Sequence, residues 1–493
     1  MHNYYVRDGY VRFAKKYINL QPEYKNNLKA IKASLLSFGA TEEEFNEAIR
    51  QLNLLTISSN QSLILRLKLP DISFKSIKKT ATFVVTILAF ISVIYTTFIY
   101  QKPTVPTKTP LAITNVITEN VKKTAQNPIP QVYANQQAID SQKVFSFPKS
   151  NLPLLITGSP KKEVLGFFPY WMLQEADNIE LSYLTSISLF GLSVDRKGNI
   201  LTTLSDSQAD GGFLMWKDTK LDGFIKTAKN KGLKVYLTFK SFDNTNIENL
   251  VSSDSAQETF ISNALYLINS KNLDGINLDF EYIGTPPDNV REGFTRLVTN
   301  LNTELKRQIP TGILTIDTYI ISGSVRDLFD LVLLSQHVDS FVIMGYDMHY
   351  ALGAPGPISP MGGDINIIGL VQGYLEKVPP QKLILAVPYY GYDWPINLDS
   401  SSSSPSAAII SYAELAQTSK QHKLIWDDTS QTPSYTYTTN GIEREVHFEN
   451  VRSLGIKYDY VNAKNLKGVG IWALGYDGLN SDLQRLIVDK FSN

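Results

Sequence analysis

Read for hydrophobic and polar positions, the chain falls into stretches of different rhythm. Over residues 1–79 the apolar positions recur at helical spacing. Leu28, Ile31, Leu35 and Leu36 precede Gly39 as a stop, and Thr41 with Glu44 forms a capping box ahead of Phe45, Ile49 and Leu52. This predicts short amphipathic helices joined by a tight turn, with Lys15, Lys16, Lys25, Lys29 and Lys32 on a solvated face. Residues 81–100, ATFVVTILAFISVIYTTFIY, carry no charge and are about as many as a helix needs to cross a bilayer core. A single transmembrane helix is therefore expected over 80–100. Lys75, Lys78 and Lys79 precede the run and only Lys102 and Lys108 follow closely, which puts 1–79 in the cytoplasm and everything after Gln101 outside. Residues 101–162, rich in Pro, Thr, Asn and Gln, read as an extracytoplasmic linker with too little apolar surface to offset its ordering entropy.

From residue 163 onward short apolar runs alternate with helical stretches, as in repeated strand-helix units. The runs start at Val164, Leu184, Lys234, Asp274, Gly312, Asp339, Lys382 and Gly468. Eight strands predict an α/β fold, a (β/α)8 TIM barrel over 163–493, with its active site at the C-terminal ends of the strands. Between Trp394 and Glu449 the rhythm breaks. The alternation of YTYTTNGIEREVHFEN around Asn440-Gly441 predicts a β-hairpin within a small insertion of about 395–450, between the seventh and eighth strands.

The stretch that bears chemistry is LDGINLDFEY, Leu273 to Tyr282. A strand turns alternate side chains to opposite faces, so Asn277, Asp279 and Glu281 share one face and Ile276, Leu278 and Phe280 the other. Carboxylates on so apolar a strand are costly if buried idle, which marks a place where charge is used. Asp274 has the opposite parity from these three and Gly275 permits close approach, so both are read as structural.

Composition narrows the rest. Lys plus Arg and Asp plus Glu number 47 each, so no global charge points to nucleic acid. Absence of cysteine removes disulfides, thiolate metal sites and cysteine nucleophiles, and the five histidines are scattered without a metal-binding spacing. No metal and no cofactor is expected.

The spacing Asp274, Gly275, Asn277, Asp279, Glu281 resembles the D-G-x-D-x-D-x-E motif of glycoside hydrolase family 18, the chitinase-like enzymes, with Asn in place of the middle Asp. Companion motifs follow in the family's order. Met344, Tyr346 and Asp347 resemble its M-x-Y-D, Pro388, Tyr390 and Gly391 its P-x-Y-G, Trp472 its eighth-strand tryptophan, and Gly166 to Trp171 its opening strand. The insertion is similar to the small α+β wall that many members carry, where Trp426, Tyr435 and Tyr437 either touch sugar or simply pack. The form G-x-N-x-D-F-E-Y is similar to the bacterial spore-cortex and germination hydrolases of this family.

The resemblance implies substrate-assisted cleavage with Glu281 as general acid and then base. Asp279 would stabilise the charge on the substrate's acetamido group and Tyr346 would hold its oxygen. Asn277, Asp347, Met344, Trp472, Tyr170 and Tyr390 would bind substrate. Because an amide cannot exchange a proton with Asp279, Asn277 implies a changed pH optimum. The implied partner is an N-acetylglucosamine-containing polysaccharide, peptidoglycan or chitin, met outside a cell membrane. A catalytically silent, lectin-like protein on the same fold is the alternative, as is an envelope sensor that signals through residues 1–79, whose cytoplasmic partner the sequence does not name.

Overall fold

The computed structural model describes residues 160–203, 208–319, 327–396 and 407–492. The expected cytoplasmic helices, the span over 80–100 and the linker up to residue 159 lie outside the described residues. Among the described residues no helix is long and apolar enough to cross a membrane.

The strands are β1 (Glu163–Pro169), β2 (Ser186–Ser193), β3 (Lys234–Ser241), β4 (Gly275–Phe280), β5 (Ile313–Thr318), β6 (Ser340–Met344) and β7 (Leu383–Pro388), then β8 (Tyr390–Ile396), β9 (Ala408–Ser411), β10 (Ile425–Asp427), β11 (Thr432–Thr439), β12 (Ile442–Phe448) and β13 (Gly468–Trp472). Eight of them close a barrel in the order β1-β13-β7-β6-β5-β4-β3-β2, every neighbouring pair parallel. These are the eight runs read from the sequence. Parallel strands need crossovers of a dozen or more residues, and helices supply them. The crossover helices are α1 (Gly211–Lys217), α2 (Thr219–Asn230), α3 (Asn244–Ser252), α4 (Asp254–Ser270), α5 (Asp288–Gln308), α6 (Leu331–Leu334) and α7 (Ile367–Leu375). After them come α8 (Tyr412–Thr418), α9 (Val451–Ala463) and α10 (Asp482–Phe491). Side-chain caps start several of them. Asp210, Asp218, Asp243 and Ser253 each accept a backbone N–H of the first turn of α1, α2, α3 and α4.

The remaining strands form an antiparallel sheet, β10-β11-β12-β8-β9. The expected hairpin is β11–β12, and its Asn440 and Gly441 both take positive φ, 52° and 78°, as a two-residue hairpin turn demands. The insertion starts earlier than the expected residue 395. The single run from Lys382 is two strands, because Tyr389 N–H turns to Trp472 O at 2.8 Å and the residues after it pair with β12 instead of the barrel.

Asp274 and Gly275 are structural, as read. Asp274 accepts the Val235 N–H at 2.8 Å and meets Lys229 Nζ at 3.1 Å, tying the start of β4 to β3 and α2. A Cβ on Gly275 would lie 2.3 Å from the carbonyl oxygen of Ile313 on β5, so only glycine lets the two strands approach. Gly275→Ala is expected to destabilise the barrel by about 1–3 kcal/mol. By contrast Gly223→Ala, on α2 with nothing within 4 Å of its new methyl, is expected to stabilise it by about 0.5–1 kcal/mol. Thermal unfolding of both variants beside the wild type checks this pair.

Candidate active site

Every residue of β4 is buried, on both faces. The apolar face meets the helical shell, Phe280 lying 6.0 Å from Phe260 of α4 and 5.9 Å from Phe294 of α5, centroid to centroid. The polar face turns into the barrel, and there Asn277, Asp279 and Glu281 are at most 2% exposed. Three polar groups in such a place demand partners.

Asn277 has them. Its amide nitrogen donates to Asp317 Oδ2 at 2.7 Å and Thr238 Oγ1 at 3.3 Å, and its oxygen accepts from Thr315 Oγ1 at 2.6 Å. Thr238 in turn meets Ser188 at 2.7 Å, so a polar belt crosses β2, β3, β4 and β5. Asp279 lies beside Lys240 of β3 in the strand register. The Lys240 ammonium, buried, donates to Ser193 Oγ at 2.8 Å, and Ser193 donates to Asp210 Oδ2 at 2.9 Å. That ammonium also sits 5.8 Å from the ring centres of Phe190 and Phe242.

Burial sets the electrostatics. It pushes Asp279 up to about 7, against the opposing charge of Lys240. It raises Asp317 well above the usual carboxylate range, helped by the charge of Asp279 and opposed by the bond from Asn277. Lys240 is itself lowered by burial, against the pull of Asp210 and Asp279. Asp347, just past β6, is pushed up to about 7 by burial although Tyr390 and Tyr392 both donate to its Oδ1. Carboxyls tuned toward neutrality suit proton transfer near neutral pH.

An aromatic wall completes the rim. Trp472, at the end of β13, stands edge-on to Phe190 at 4.7 Å and to Trp171 at 6.2 Å. Tyr346 meets Tyr390 edge-on at 6.3 Å, and Tyr392 and Trp394 extend that line into the insertion. Met344 closes β6, and Tyr170, just past β1, packs edge-on against Trp171 at 4.8 Å. Eight of the nine residues singled out from the sequence thus lie at or just past the C-terminal ends of barrel strands, or at the start of β8, while Asn277 sits in the middle of β4. Within the insertion, Tyr435 is core, while Tyr437 donates to Asp393 at 2.7 Å and Trp426 carries the Arg452 guanidinium 3.6 Å from its ring centre.

Sequence reading missed Lys240, Asp317 and Asp210. Each of the first two is a lone charge in an apolar run, VYLTFKS after Lys234 and ILTIDT, at the parity of the inward-facing threonines beside it. Among the described residues no group of three or more His, Asp or Glu side chains is placed to hold a metal ion.

Residues 163–477 match the family described as glycosyl hydrolases family 18. The cortical fragment-lytic enzyme of Bacillus anthracis is 30% identical over 267 residues, 50% of this chain and 59% of that protein. This chain therefore matches little more than half the length of that relative. Mouse chitotriosidase-1 is 25% identical over 51% of this chain and 60% of its own length. Among solved structures, the spore cortex-lytic enzyme of Bacillus cereus shares the fold with a TM-score of 0.56 at 21% identity, over 79% of this chain and 88% of that one. The group IV chitinase of Ostrinia furnacalis, solved with allosamidin, gives 0.58 at 21% identity over 66% and 97%.

The belt around Asn277 yields a test. In Asn277→Asp the donor 2.7 Å from Asp317 becomes an acceptor, and burial beside that acid pushes the new carboxyl toward its protonated form. Its folded pKa then lies above the unfolded value of about 3.9, so the variant loses stability as pH rises through that folded value. Destabilisation of roughly 1–3 kcal/mol is expected at about pH 8 and less at about pH 5, read from thermal unfolding at both.

Proposed function

This chain belongs to the glycosyl hydrolases family 18, and we propose that it is a membrane-anchored glycoside hydrolase. Its reaction is cleavage of β-1,4 linkages at N-acetylglucosamine in peptidoglycan by substrate-assisted, retaining catalysis. The observation that carries this reading is the pairing of Glu281 with Asp279 on one buried face of β4, at the barrel rim that Tyr346, Asp347 and Trp472 share.

Family 18 enzymes stand outside the two-carboxylate scheme, because the acetamido oxygen of the substrate itself attacks the anomeric carbon. Only one protein acid is then needed at the leaving oxygen. Glu281 gives its proton to that oxygen and later takes one from the attacking water. Asp279 accepts the acetamido N–H and faces the positive charge that develops on the ring as the oxazolinium forms. Tyr346 holds the acetamido oxygen in line, Trp472 forms the apolar floor under the sugar, and Asp347 binds a hydroxyl with one oxygen while Tyr390 and Tyr392 occupy the other. Met344, Tyr170 and Tyr390 line the approach.

Peptidoglycan as the polymer rests on the likeness to the cortical fragment-lytic enzymes and on the G-x-N-x-D-F-E-Y form of β4. Chitin is the second reading, favoured by the likeness to chitotriosidase-1. The uncharged run at 81–100 supports the membrane anchor, with the barrel outside and 1–79 inside.

The full chain, extracted in detergent, is expected to release peptidoglycan fragments with new N-acetylglucosamine reducing ends, identified by mass. Glu281→Gln is expected to lower that rate by about 10²–10⁴ while still binding the polymer. Release from chitin oligomers alone would shift the assignment to the second reading. Binding without cleavage by either protein would make the chain a tethered lectin.

A further inference from the structure

Two acids sit in one dry compartment where the proposed reaction uses only one of them. Asp317, on β5, is buried, and its Oδ2 is held by Asn277 at 2.7 Å. Its Oδ1 has no hydrogen-bond partner, and neither does Oδ1 of Asp279. The register that pairs Leu278 with Ile316 brings Asp279 and Asp317 to the next positions along adjacent strands. On the other flank of Asp279, in register on β3, stands Lys240.

Two carboxylates and one ammonium in a dry volume cannot all be charged cheaply. Like charges in one compartment leave one carboxyl protonated, and an adjacent cation decides which by favouring the anion nearest to it. Lys240 neighbours Asp279, while the partners of Asp317 are the neutral Asn277 and the charge of Asp279. Asn277 donates to Oδ2 of Asp317, which leaves Oδ1 as the place for a proton. The other polar groups on these strands are Asn277 on β4 with Glu281 just past it, Thr315 on β5, Thr238 on β3, and Ser193 and Asp210 behind Lys240; Tyr346 and Asp347 follow β6, beyond β5. Among these named groups Lys240 is the one cation.

We propose that Asp317 and Lys240 are positioning residues that fix the charge of Asp279: Asp317 keeps the proton on its Oδ1 and stays neutral, and Lys240 holds Asp279 as the anion. No proton moves in this arrangement: the one proton held between the two carboxyls stays bound to Asp317 Oδ1, and Asp279 carries the negative charge. This rests on the proposed role of Asp279 opposite a developing positive charge, since only an anion stabilises that charge. Asn277 is then the bridge that orients the carrier, and the neutral amide in the motif is matched by an acid supplied from the next strand.

The test separates this from the activity itself. In infrared titration of the full chain with isotope-labelled aspartate, one protonated aspartate is expected to persist to about pH 9, where Asp279, Asp347 and Asp477, each raised to about 7, are largely ionised. Asp317→Asn is expected to abolish that signal. Its absence in the wild type, or its survival in Asp317→Asn, overturns the proposal whether or not any polymer is cleaved.

Kinetics on whichever polymer the wild type cleaves give the second arm. Asp317→Asn, a permanent mimic of the neutral acid that still accepts from Asn277, is expected to keep kcat within about threefold at neutral pH, and Asp317→Ala to lose about tenfold or more. Lys240→Met is expected to lower kcat with KM nearly unchanged and to move the acid limb of the pH profile up by about one unit or more, so that raising the pH restores much of the rate. Equal losses in Asp317→Asn and Asp317→Ala would mean that Asp317 works as an anion. An unmoved acid limb in Lys240→Met would mean that Lys240 does not set the charge of Asp279. Either result overturns the proposal.

Discussion

Desolvation is the constraint on which this barrel depends. Closing eight parallel strands removes the inner ends of β2 to β6 from water, and every charged group left there must be neutralised, paired or bonded. On β3 and its neighbours that demand falls on the buried ammonium of Lys240, amid the carboxyls of Asp210, Asp279 and Asp317. One cation cannot offset both Asp279 and Asp317, and burial, the largest cause, holds both carboxyls above their usual range. The same burial that is costly to the fold is what makes acid-base chemistry at ordinary pH available.

The insertion is part of this arrangement as well as a wall beside it. Tyr390 and Tyr392, two residues apart on β8, share a face and both donate to Asp347 of the barrel. Asp393, of opposite parity, turns the other way and takes Arg444 at 2.8 Å and Tyr437 at 2.7 Å within the insertion sheet. One strand therefore ties the site to the barrel with one face and holds its own sheet with the other. The early start of the insertion, at β8, makes this possible, because Tyr390 leaves β7 just where the rim begins.

What could be read from the sequence follows from the range of the signal. The eight barrel strands are local: each is a short apolar run, and the run needs no knowledge of its neighbours. The β11–β12 hairpin is local too, since Asn440-Gly441 names its own turn type. The face shared by Asn277, Asp279 and Glu281 follows from parity alone. Asp317 and Lys240 are different, because each gains meaning only from the register that sets it beside β4. A single charged residue in a strand reads as an edge or an exception until its neighbours across the sheet are known. The split of one run into β7 and β8 escaped for a related reason. Both halves are apolar and extended, and only the choice of partner, the barrel for one and β12 for the other, separates them.

The charge balance of the site also bears on stability, and its sign can be worked out. A carboxyl whose folded pKa is raised binds more protons folded than unfolded, so its contribution is most favourable below the unfolded value near 4 and is lost as pH rises through the folded one. For Asp279, raised to about 7, ionisation above that pH costs on the order of 4 kcal/mol at about 1.4 kcal/mol per unit. Asp347 and Asp477, raised alike by burial, act in the same direction. Lys240 reduces the cost for Asp279 and Tyr390 and Tyr392 reduce it for Asp347, so both sets of contacts relieve the fold in holding an anion. Under the proposed mechanism the site must carry negative charge opposite a cationic intermediate and is therefore destabilising at rest, and the apolar shell of Phe260, Phe280 and Phe294 packs behind β4.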